Sequence, residues 1–311
     1  MSPNAAPFRL ALIGFGRPGG NNPAGAVMEA ALVEALARDE RIEMIDRRML
    51  QAALSGVGYD GSINMSVDEA RRLGWAIGCD VFIVGKAEAI KRSERAGESH
   101  EEAIVAVMMV DGRRGRVVHF DFILERAASP EAALSAAATT LRGRARGYVD
   151  RIDDLRRARE SLPPTRVPLR LSSVDRVEEL PYEGSPAAAG FNPPTFLNRV
   201  KPEYTEQADR ADVTATVEAM AVFHADGSVG EIDIVRWAGF GLDESAARAI
   251  RQLKFKPATR DGKPISVRAL IRYNFRRVSQ SDVNSPAQSK PEEKPERDLR
   301  ELFKPRYRPP R

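Results

Sequence analysis

A glycine-rich hexapeptide with the spacing of a nucleotide-binding loop follows the first apolar run of the chain. It is Gly14-Phe15-Gly16-Arg17-Pro18-Gly19, and in such G-x-G-x-x-G loops the N–H groups of a helix N-terminus bind a pyrophosphate. Asp46 ends the second apolar run, where an acid would bind a ribose hydroxyl. However, Gly20-Asn21-Asn22-Pro23 delays the helix, and Asp46 lies further along than the usual roughly 20 residues. We therefore predict an ordinary loop without a cofactor, and keep a nucleotide site at Gly14, Gly16, Gly19 and Asp46 as the alternative.

No other residues have the spacing of a catalytic or metal site. The three histidines, His100, His119 and His224, lie apart from one another and from the single cysteine, so a zinc site is not expected. No nucleophile motif such as G-x-S-x-G occurs. Cys79 cannot form a disulfide within the chain, and its place before an apolar run predicts a packed thiol. These patterns favour a protein without enzyme activity, metal or cofactor.

Length and charge narrow the class of protein further. A chain of 311 residues favours two domains, and 42% hydrophobic residues suffice for globular cores. The 48 basic and 44 acidic residues are interspersed and leave a formal charge of +4, so nucleic acid is not an expected partner. No run reaches the roughly 20 apolar residues of a membrane helix, and residues 1–15 lack a signal-sequence pattern.

Apolar runs that alternate with helical patterns predict an α/β domain over residues 1–160, with a mixed sheet. The expected strands are Arg9–Phe15, Ile42–Ile45, Asp80–Lys86, Ile104–Val110 and Val117–Leu124, the last two as a hairpin. Helices are expected from Val27, after the capping box Ser66-Val67-Asp68-Glu69, and after Ser129-Pro130.

The helix that follows Ser129 carries a heptad-like seam. Leu134, Ala138, Leu141, Ala145, Tyr148, Ile152 and Leu155 recur at alternating steps of four and three. Because alanines and one tyrosine make a weak zipper, we favour a helix that packs on the sheet of its own domain. A dimer formed through Leu134–Leu155 is the other interpretation.

Period-two alternation and one helical stripe predict a small ββαβ domain over residues 194–278. Its first strand, Val213–Phe223, is followed by the turn Asp226-Gly227 and a return strand with Ile232 and Ile234. Leu242, Ala246, Ile250 and Leu253 share a helix face, and Val267, Ala269, Ile271, Tyr273 and Phe275 alternate in the last strand. Proline-rich residues 161–193 predict a linker, and residues 279–311 a disordered charged tail. The whole chain is thus expected to be an α+β protein.

Six spaced motifs lie in the second domain. They are Pro202-Glu203-Tyr204, Val213-Thr214-Ala215-Thr216-Val217, Asp226-Gly227, Gly241-Leu242-Asp243-Glu244, Phe255-Lys256-Pro257-Ala258 and Asp261-Gly262-Lys263-Pro264. In this order they resemble the C-terminal domain of TonB, the envelope protein that couples inner-membrane energy to outer-membrane transporters. Two positions depart from the family: Thr205 replaces a usual proline, and Leu253 a usual tryptophan.

Shorter motifs mark the first domain. They are Asp46-Arg47 with Leu50 and Leu54, Leu73-Gly74, Cys79-Asp80 through Val84-Gly85, and Val110-Asp111-Gly112. They are similar to the α/β domain shared by CsgG, the LpoB-type activators and the N-terminal domain of TolB. That resemblance implies a cell-envelope accessory module that binds proteins and has no enzyme activity.

Together the resemblances imply a non-enzymatic envelope protein of the TonB type, with energy transduction to outer-membrane transport as its fullest role. We expect the last strand to add an extended peptide, such as that of a transporter, to its edge. The contact residues would be Ser266, Arg268, Leu270, Arg272 and Asn274, whose two arginines favour an acidic peptide. The expected compartment is the periplasm or inner membrane if an upstream signal or anchor exists, and otherwise the cytoplasm. The alternative is a cytoplasmic nucleotide-binding α/β protein with an appended interaction domain.

Overall fold

The computed structural model describes residues 6–93, 99–160, 177–181, 185 and 188–277. The chain divides into two compact units, Met1–Arg166 and Val167–Arg311. Each unit combines a sheet with helices, so the predicted α+β class is confirmed. The predicted tail and residues 161–176 of the predicted linker lie outside the described residues.

The N-terminal unit is built on one mixed sheet of five strands. They are β1 (Phe8–Gly14), β2 (Ile42–Met44), β3 (Val81–Ser93), β4 (Ser99–Asp111) and β5 (Arg116–Ala127). Their order in the sheet is β2-β1-β3-β4-β5, with β1 parallel to β2 and β3, and with β3, β4 and β5 antiparallel in turn. All five predicted strands are present. β3 and β4 run further than their apolar runs, because the alternating polar residues at their ends are also paired.

Four helices accompany this sheet. They are α1 (Pro23–Leu36), α2 (Arg47–Gly56), α3 (Val67–Ile77) and α4 (Pro130–Glu160). Leu32 of α1 and Leu141 of α4 lie in one buried cluster with Ile83 and Val107 of the sheet. The predicted capping box is confirmed at α3, because the Ser66 hydroxyl accepts from the Glu69 N–H and the Glu69 carboxylate accepts from the Ser66 N–H. The sheet and helices thus bury a common core.

The seam of α4 is covered within its own unit. Leu141, Tyr148 and Ile152 are buried in the cluster with the sheet, and the Tyr148 hydroxyl donates to Asp121 of β5 at 2.7 Å. The seam side chains from Ala138 to Leu155 are thus buried within the unit, which favours the packed helix, and a dimer through Leu134–Leu155 stays a prediction. The spacing of four and three reflects a helix packed on a sheet.

A carboxylate is fully buried on β4. Glu102 has an exposed fraction of 0% and accepts from Arg92 Nε at 3.2 Å and Arg126 Nε at 3.0 Å. His100 Nε2 lies 3.0 Å from Oε1 of Glu102, the oxygen that also accepts from Arg126. A buried charge is tolerated only when it is paired and hydrogen-bonded, so these partners fix three neighbouring strands to one another.

The C-terminal unit contains the predicted ββαβ core and several short strands. The elements are β6 (Glu178–Glu179), β7 (Phe191–Asn192), β8 (Thr195–Phe196), α5 (Glu206–Arg210), β9 (Ala215–Phe223), β10 (Val229–Arg236), α6 (Leu242–Arg251), β11 (Phe255–Lys256), β12 (Ala258–Arg260), β13 (Lys263–Ile265) and β14 (Val267–Phe275). The main sheet has the order β10-β9-β14-β6. β6 and β7 fall inside the segment predicted as a linker, so part of that segment is paired into this unit. The boundaries 1–160, 161–193, 194–278 and 279–311 stay a prediction.

An aromatic cluster forms the core under the main sheet. Phe223 of β9 meets Phe255 edge-on, with ring centroids 4.9 Å apart, and Phe196 at 5.3 Å. Ile250 of α6 is buried against this cluster, and Leu253 packs at its margin. Leu253 is therefore partly buried beside the core, at a position where the family usually has tryptophan.

The start of α6 is held by a partly buried carboxylate. Asp243 accepts from the N–H groups of Ala238 at 2.8 Å and Gly239 at 2.9 Å. Burial raises the pKa of Asp243 from 3.8 to about 6, although the two backbone donors act in the opposite direction. The loop before α6 thus depends on a carboxylate that titrates near neutral pH.

Leu141→Ala should lower the free energy of unfolding by about 2–5 kcal/mol, because it empties a fully buried site in the N-terminal core. Arg146→Ala, an exposed change on the same helix, is the control and should cost less than about 0.5 kcal/mol. Urea unfolding of the full chain, followed by circular dichroism, measures both. A melting temperature that rises with protein concentration would instead support a dimer through α4.

Asp243→Asn should remove a pH-dependent part of the stability. Because the folded pKa is raised, Asp243 contributes stability that is present below pH 3.8 and lost as pH rises through about 6. The advantage of the wild type over Asp243→Asn should therefore shrink across this window, by at most about 3 kcal/mol. Thermal unfolding at a series of pH values measures the difference, with Glu244→Gln as the control. A difference that does not change with pH would contradict the assignment.

Candidate functional site

The two sides of β14 differ in how far they are paired. On one side β14 is antiparallel to β9 along its whole length, from Val267 opposite Phe223 to Phe275 opposite Ala215. On the other side, within the described residues, it pairs only with β6, through Val267 and Arg268, and the Glu178 N–H donates to the Ser266 carbonyl at 2.9 Å. The sequence predicted that the edge of this strand is open from Ser266 onward. β6 in fact occupies the first part of that edge, as far as Arg268.

The rest of this edge offers main-chain groups to a further strand. Along a strand, the main-chain N–H and C=O groups of successive residues point alternately to the two neighbouring strands. Every second residue from Ser266 therefore points these groups to the side on which β6 pairs. Those residues are Arg268, Leu270, Arg272 and Asn274. Among the described residues no strand pairs with β14 on this side beyond Arg268. Three residues, Leu270, Arg272 and Asn274, thus have edge-facing groups open to a partner.

The side chains of β14 alternate as predicted. Arg268, Arg272 and Asn274 are exposed and Leu270 is partly buried, whereas Val267 and Ala269 point into the core. Ser266 differs from the expectation. Its hydroxyl is buried and accepts from the Ala225 N–H at 3.1 Å, so only its carbonyl faces the edge.

The two arginines of the edge have different surroundings. Arg272 donates through Nε to Glu218 at 2.7 Å, and Glu218 also accepts from Arg236 Nε at 3.4 Å. These residues lie directly opposite one another on three adjacent strands, and opposite charges in such positions stabilise a sheet. Arg268 has no ion-pair partner among the residues that the structure describes. The sequence could not separate the two roles, because the register decides them.

The glycine loop is held by one side chain, Asn22. Its amide nitrogen donates to the carbonyls of Phe15 at 2.6 Å and Ala87 at 3.2 Å, and its oxygen accepts from the Gly25 N–H at 3.0 Å. Asn22 is thereby the N-cap of α1 and the tie between the loop and β3. A Cβ on Gly25 would lie 2.7 Å from the Phe15 carbonyl oxygen, which requires glycine there. The signal for this role in the sequence is Asn22-Pro23, an N-cap residue followed by a proline in the first turn.

The residues of the nucleotide alternative are not brought together as a phosphate site. A cavity of about 330 Å³ lies beside the loop and is lined by Gly16 and Gly19, but not by Gly14 or Asp46. Asp46 is the N-cap of α2 and accepts from the N–H groups of Arg48 and Met49. The first turn of α1 is capped by Asn22 instead of presenting its N–H groups to a ligand. The alternative is therefore not favoured.

The sheet β10-β9-β14-β6 with helix α6 makes the C-terminal unit a small α+β domain, in which no described strand pairs with the edge of β14 beyond Arg268. Residues 200–276 match the family model described as Gram-negative bacterial TonB protein C-terminal. This range contains α5, β9, β10, α6 and β14, so the TonB-like C-terminal domain predicted from six motifs is confirmed there. No curated protein matches the chain.

Solved structures are similar to parts of the chain at low identity. The TonB C-terminal domain of Pseudomonas aeruginosa is 18% identical over 28% of this chain and 88% of its own, with a TM-score of 0.25. The LpoB C-terminal domain of Salmonella enterica is 12% identical over 40% and 85%, with a TM-score of 0.26. The hypothetical protein CT253 of Chlamydia trachomatis is 11% identical over 46% and 98%, with a TM-score of 0.32. The predicted resemblance of the first domain to CsgG, LpoB and TolB stays a prediction.

The described ranges contain no group of three or more His, Cys, Asp or Glu side chains placed to hold a metal ion. None of their helices has the length and apolar character to span a bilayer.

Asn22→Ala should destabilise the N-terminal unit by about 2–3 kcal/mol, because it removes a cap worth about 1 kcal/mol and two further hydrogen bonds. The neighbouring exposed Asn21→Ala is the control and should have little effect. Chemical unfolding measures both variants. Calorimetric titration of the wild type with ATP and NAD should give no saturable heat, and micromolar binding would restore the nucleotide alternative.

Proposed function

We propose that this chain is a non-enzymatic cell-envelope protein of the TonB type whose C-terminal domain binds a protein partner. Residues 200–276 match the TonB C-terminal family, whose domains interact with other proteins. The periplasm, or the surface of the inner membrane, is the compartment in which that role is exercised. The N-terminal unit would serve as an accessory module that also binds proteins, in keeping with the predicted resemblance of its motifs.

The single observation that carries the proposal is the partly paired strand β14. Leu270, Arg272 and Asn274 hold edge-facing main-chain groups that no described strand of the chain pairs. Such a row of donors and acceptors accepts an added strand, and its main-chain bonds supply affinity while alternate side chains supply selectivity. The partner is thus an extended peptide segment.

An outer-membrane transporter segment is the partner that the family role suggests, and energy transduction to transport is the fullest form of that role. The exposed face of the edge carries Arg268 and Arg272, which favours a segment with acidic residues. Because Glu218 already neutralises Arg272, Arg268 is the stronger determinant of that preference.

Leu270→Pro should abolish binding of the partner segment, because it removes the N–H at the middle of the open edge. Leu270→Ala keeps that N–H and should bind within about threefold of the wild type, since it loses only side-chain contact. Binding of acidic peptides from outer-membrane transporters is measured by fluorescence polarisation on the full chain.

Circular dichroism and thermal unfolding show whether both variants are folded. The edge-facing position of Leu270 predicts that proline there leaves the β9 ladder in place. A folded Leu270→Pro variant that binds as well as Leu270→Ala would exclude this edge as the binding site.

A further inference from the structure

The short strand β6 shows what this edge accepts. It is parallel to β14, with Glu178 opposite Val267 and Glu179 opposite Arg268. Its two residues are consecutive glutamates from a proline-rich segment that has no strand pattern of its own. Because this segment has no strand pattern, its pairing depends on contacts that the β14 edge offers. The two glutamates therefore indicate which side chains the edge accepts.

Glu178 is held by an arginine that other contacts fix in place. Arg260 donates to one carboxylate oxygen of Glu178 through Nε at 3.0 Å and Nη2 at 2.7 Å. The Arg260 guanidinium also lies 5.5 Å from the ring centroid of Phe191 and donates to the Ala189 carbonyl at 3.4 Å. Because these contacts orient the guanidinium, little conformational freedom is lost when it binds a carboxylate.

Glu179 is in register with Arg268, the first arginine of the β14 edge. It is exposed and lies directly opposite Arg268, so the two side chains share one face of the sheet. Opposite charges in directly facing strand positions attract each other. Glu178 thus binds Arg260, and Glu179 is in register with Arg268 on the opposite face of β14, although the structure describes no ion pair between Glu179 and Arg268.

We propose that the β14 edge selects an extended acidic segment that runs parallel to β14 and places two consecutive carboxylates at Arg260 and Arg268. The Glu178–Glu179 pair is an internal occupant of the same positions, and the partner segment displaces it. This inference rests on the proposed strand-addition function and adds the orientation, the register and the chemistry of the partner.

Competition from within the chain has a measurable consequence. A binding site that is occupied part of the time shows an affinity reduced by the fraction of molecules in which it is open. Weakening the internal occupant should therefore tighten the binding of a partner without any change in the partner itself. That result distinguishes a displaced strand from one that belongs permanently to the sheet.

The test uses the full chain and the synthetic peptide RVEELPY, which has the sequence of residues 176–182. A second peptide, RVQQLPY, lacks the two carboxylates. The binding of both is measured calorimetrically to the wild type, to Glu178→Gln/Glu179→Gln and to Glu231→Gln/Glu244→Gln. The last variant makes the same charge change at two exposed glutamates outside β6.

Glu178→Gln/Glu179→Gln should bind RVEELPY about tenfold more tightly than the wild type or the control variant, because the internal occupant is weakened. It should prefer RVEELPY to RVQQLPY by a similar factor. Arg260→Gln or Arg268→Gln, added to this variant, should each reduce that preference, and Arg268 is exposed enough to be replaced without disturbing the core.

Equal binding of RVEELPY to the wild type and to the glutamine variant would overturn the proposed competition. If the two peptides bind equally and Leu270→Pro still abolishes the binding of both, the preference for acidic segments would be overturned. The proposed strand addition would remain. If neither peptide binds, and if Leu270→Pro does not change the binding of any transporter segment, the proposed function itself would be overturned. A concentration-dependent dimer that Glu178→Gln/Glu179→Gln abolishes would show that the occupant is a second copy, and would also overturn the inference.

Discussion

The antiparallel ladder between β9 and β14 is the interaction on which the C-terminal unit depends. Its register pairs every residue from Val267 to Phe275 with one of β9, so it decides at once which side chains face the aromatic core and which main-chain groups face outward. Phe223, Val267 and Ala269 reach the core by this alternation, while the carbonyl of Ser266 is left for β6. The ladder that stabilises the fold therefore also determines which main-chain groups and side chains the proposed binding edge exposes. Loss of the ladder would remove the core and the edge together.

The N-terminal unit meets a different constraint, because its strand β4 is covered on both faces. Residues 102–111 of β4 are buried without interruption, and only a strand between two layers of side chains has no solvent face. α1 and α4 supply one of these layers through Leu32 and Leu141. The long helix α4 is thus a structural part of the domain, and its apolar stripe has the width of a helix packed on a sheet.

Much of this architecture follows from periodicity, and the parts that do not have physical reasons. The strands β9 and β14 and the helix α6 are long enough for alternation and helical stripes to identify them, and the six motifs identify the family of their domain. β6 is only two residues long, so no period exists to detect, and its pairing depends on a tertiary neighbour. Thr205 shows the same limit: where the family usually has proline, its hydroxyl accepts from the Ala208 N–H and caps α5, a role that only the folded backbone reveals. The glycine loop has the right spacing for phosphate, yet Asn22 satisfies the helix terminus first.

The buried carboxylate of Glu102 restricts how the sequence of this sheet can change over time. Arg92 and Arg126 contact it from the two neighbouring strands, so loss of both arginines would leave the buried carboxylate without its arginine partners. Such a loss costs about 3–5 kcal/mol, which is comparable to the whole stability of many domains. Replacement of the carboxylate and both arginines by apolar residues of similar volume avoids that cost. A stable protein without these charges therefore requires several simultaneous substitutions. We expect Arg92, Glu102 and Arg126 to be kept together or replaced together during evolution.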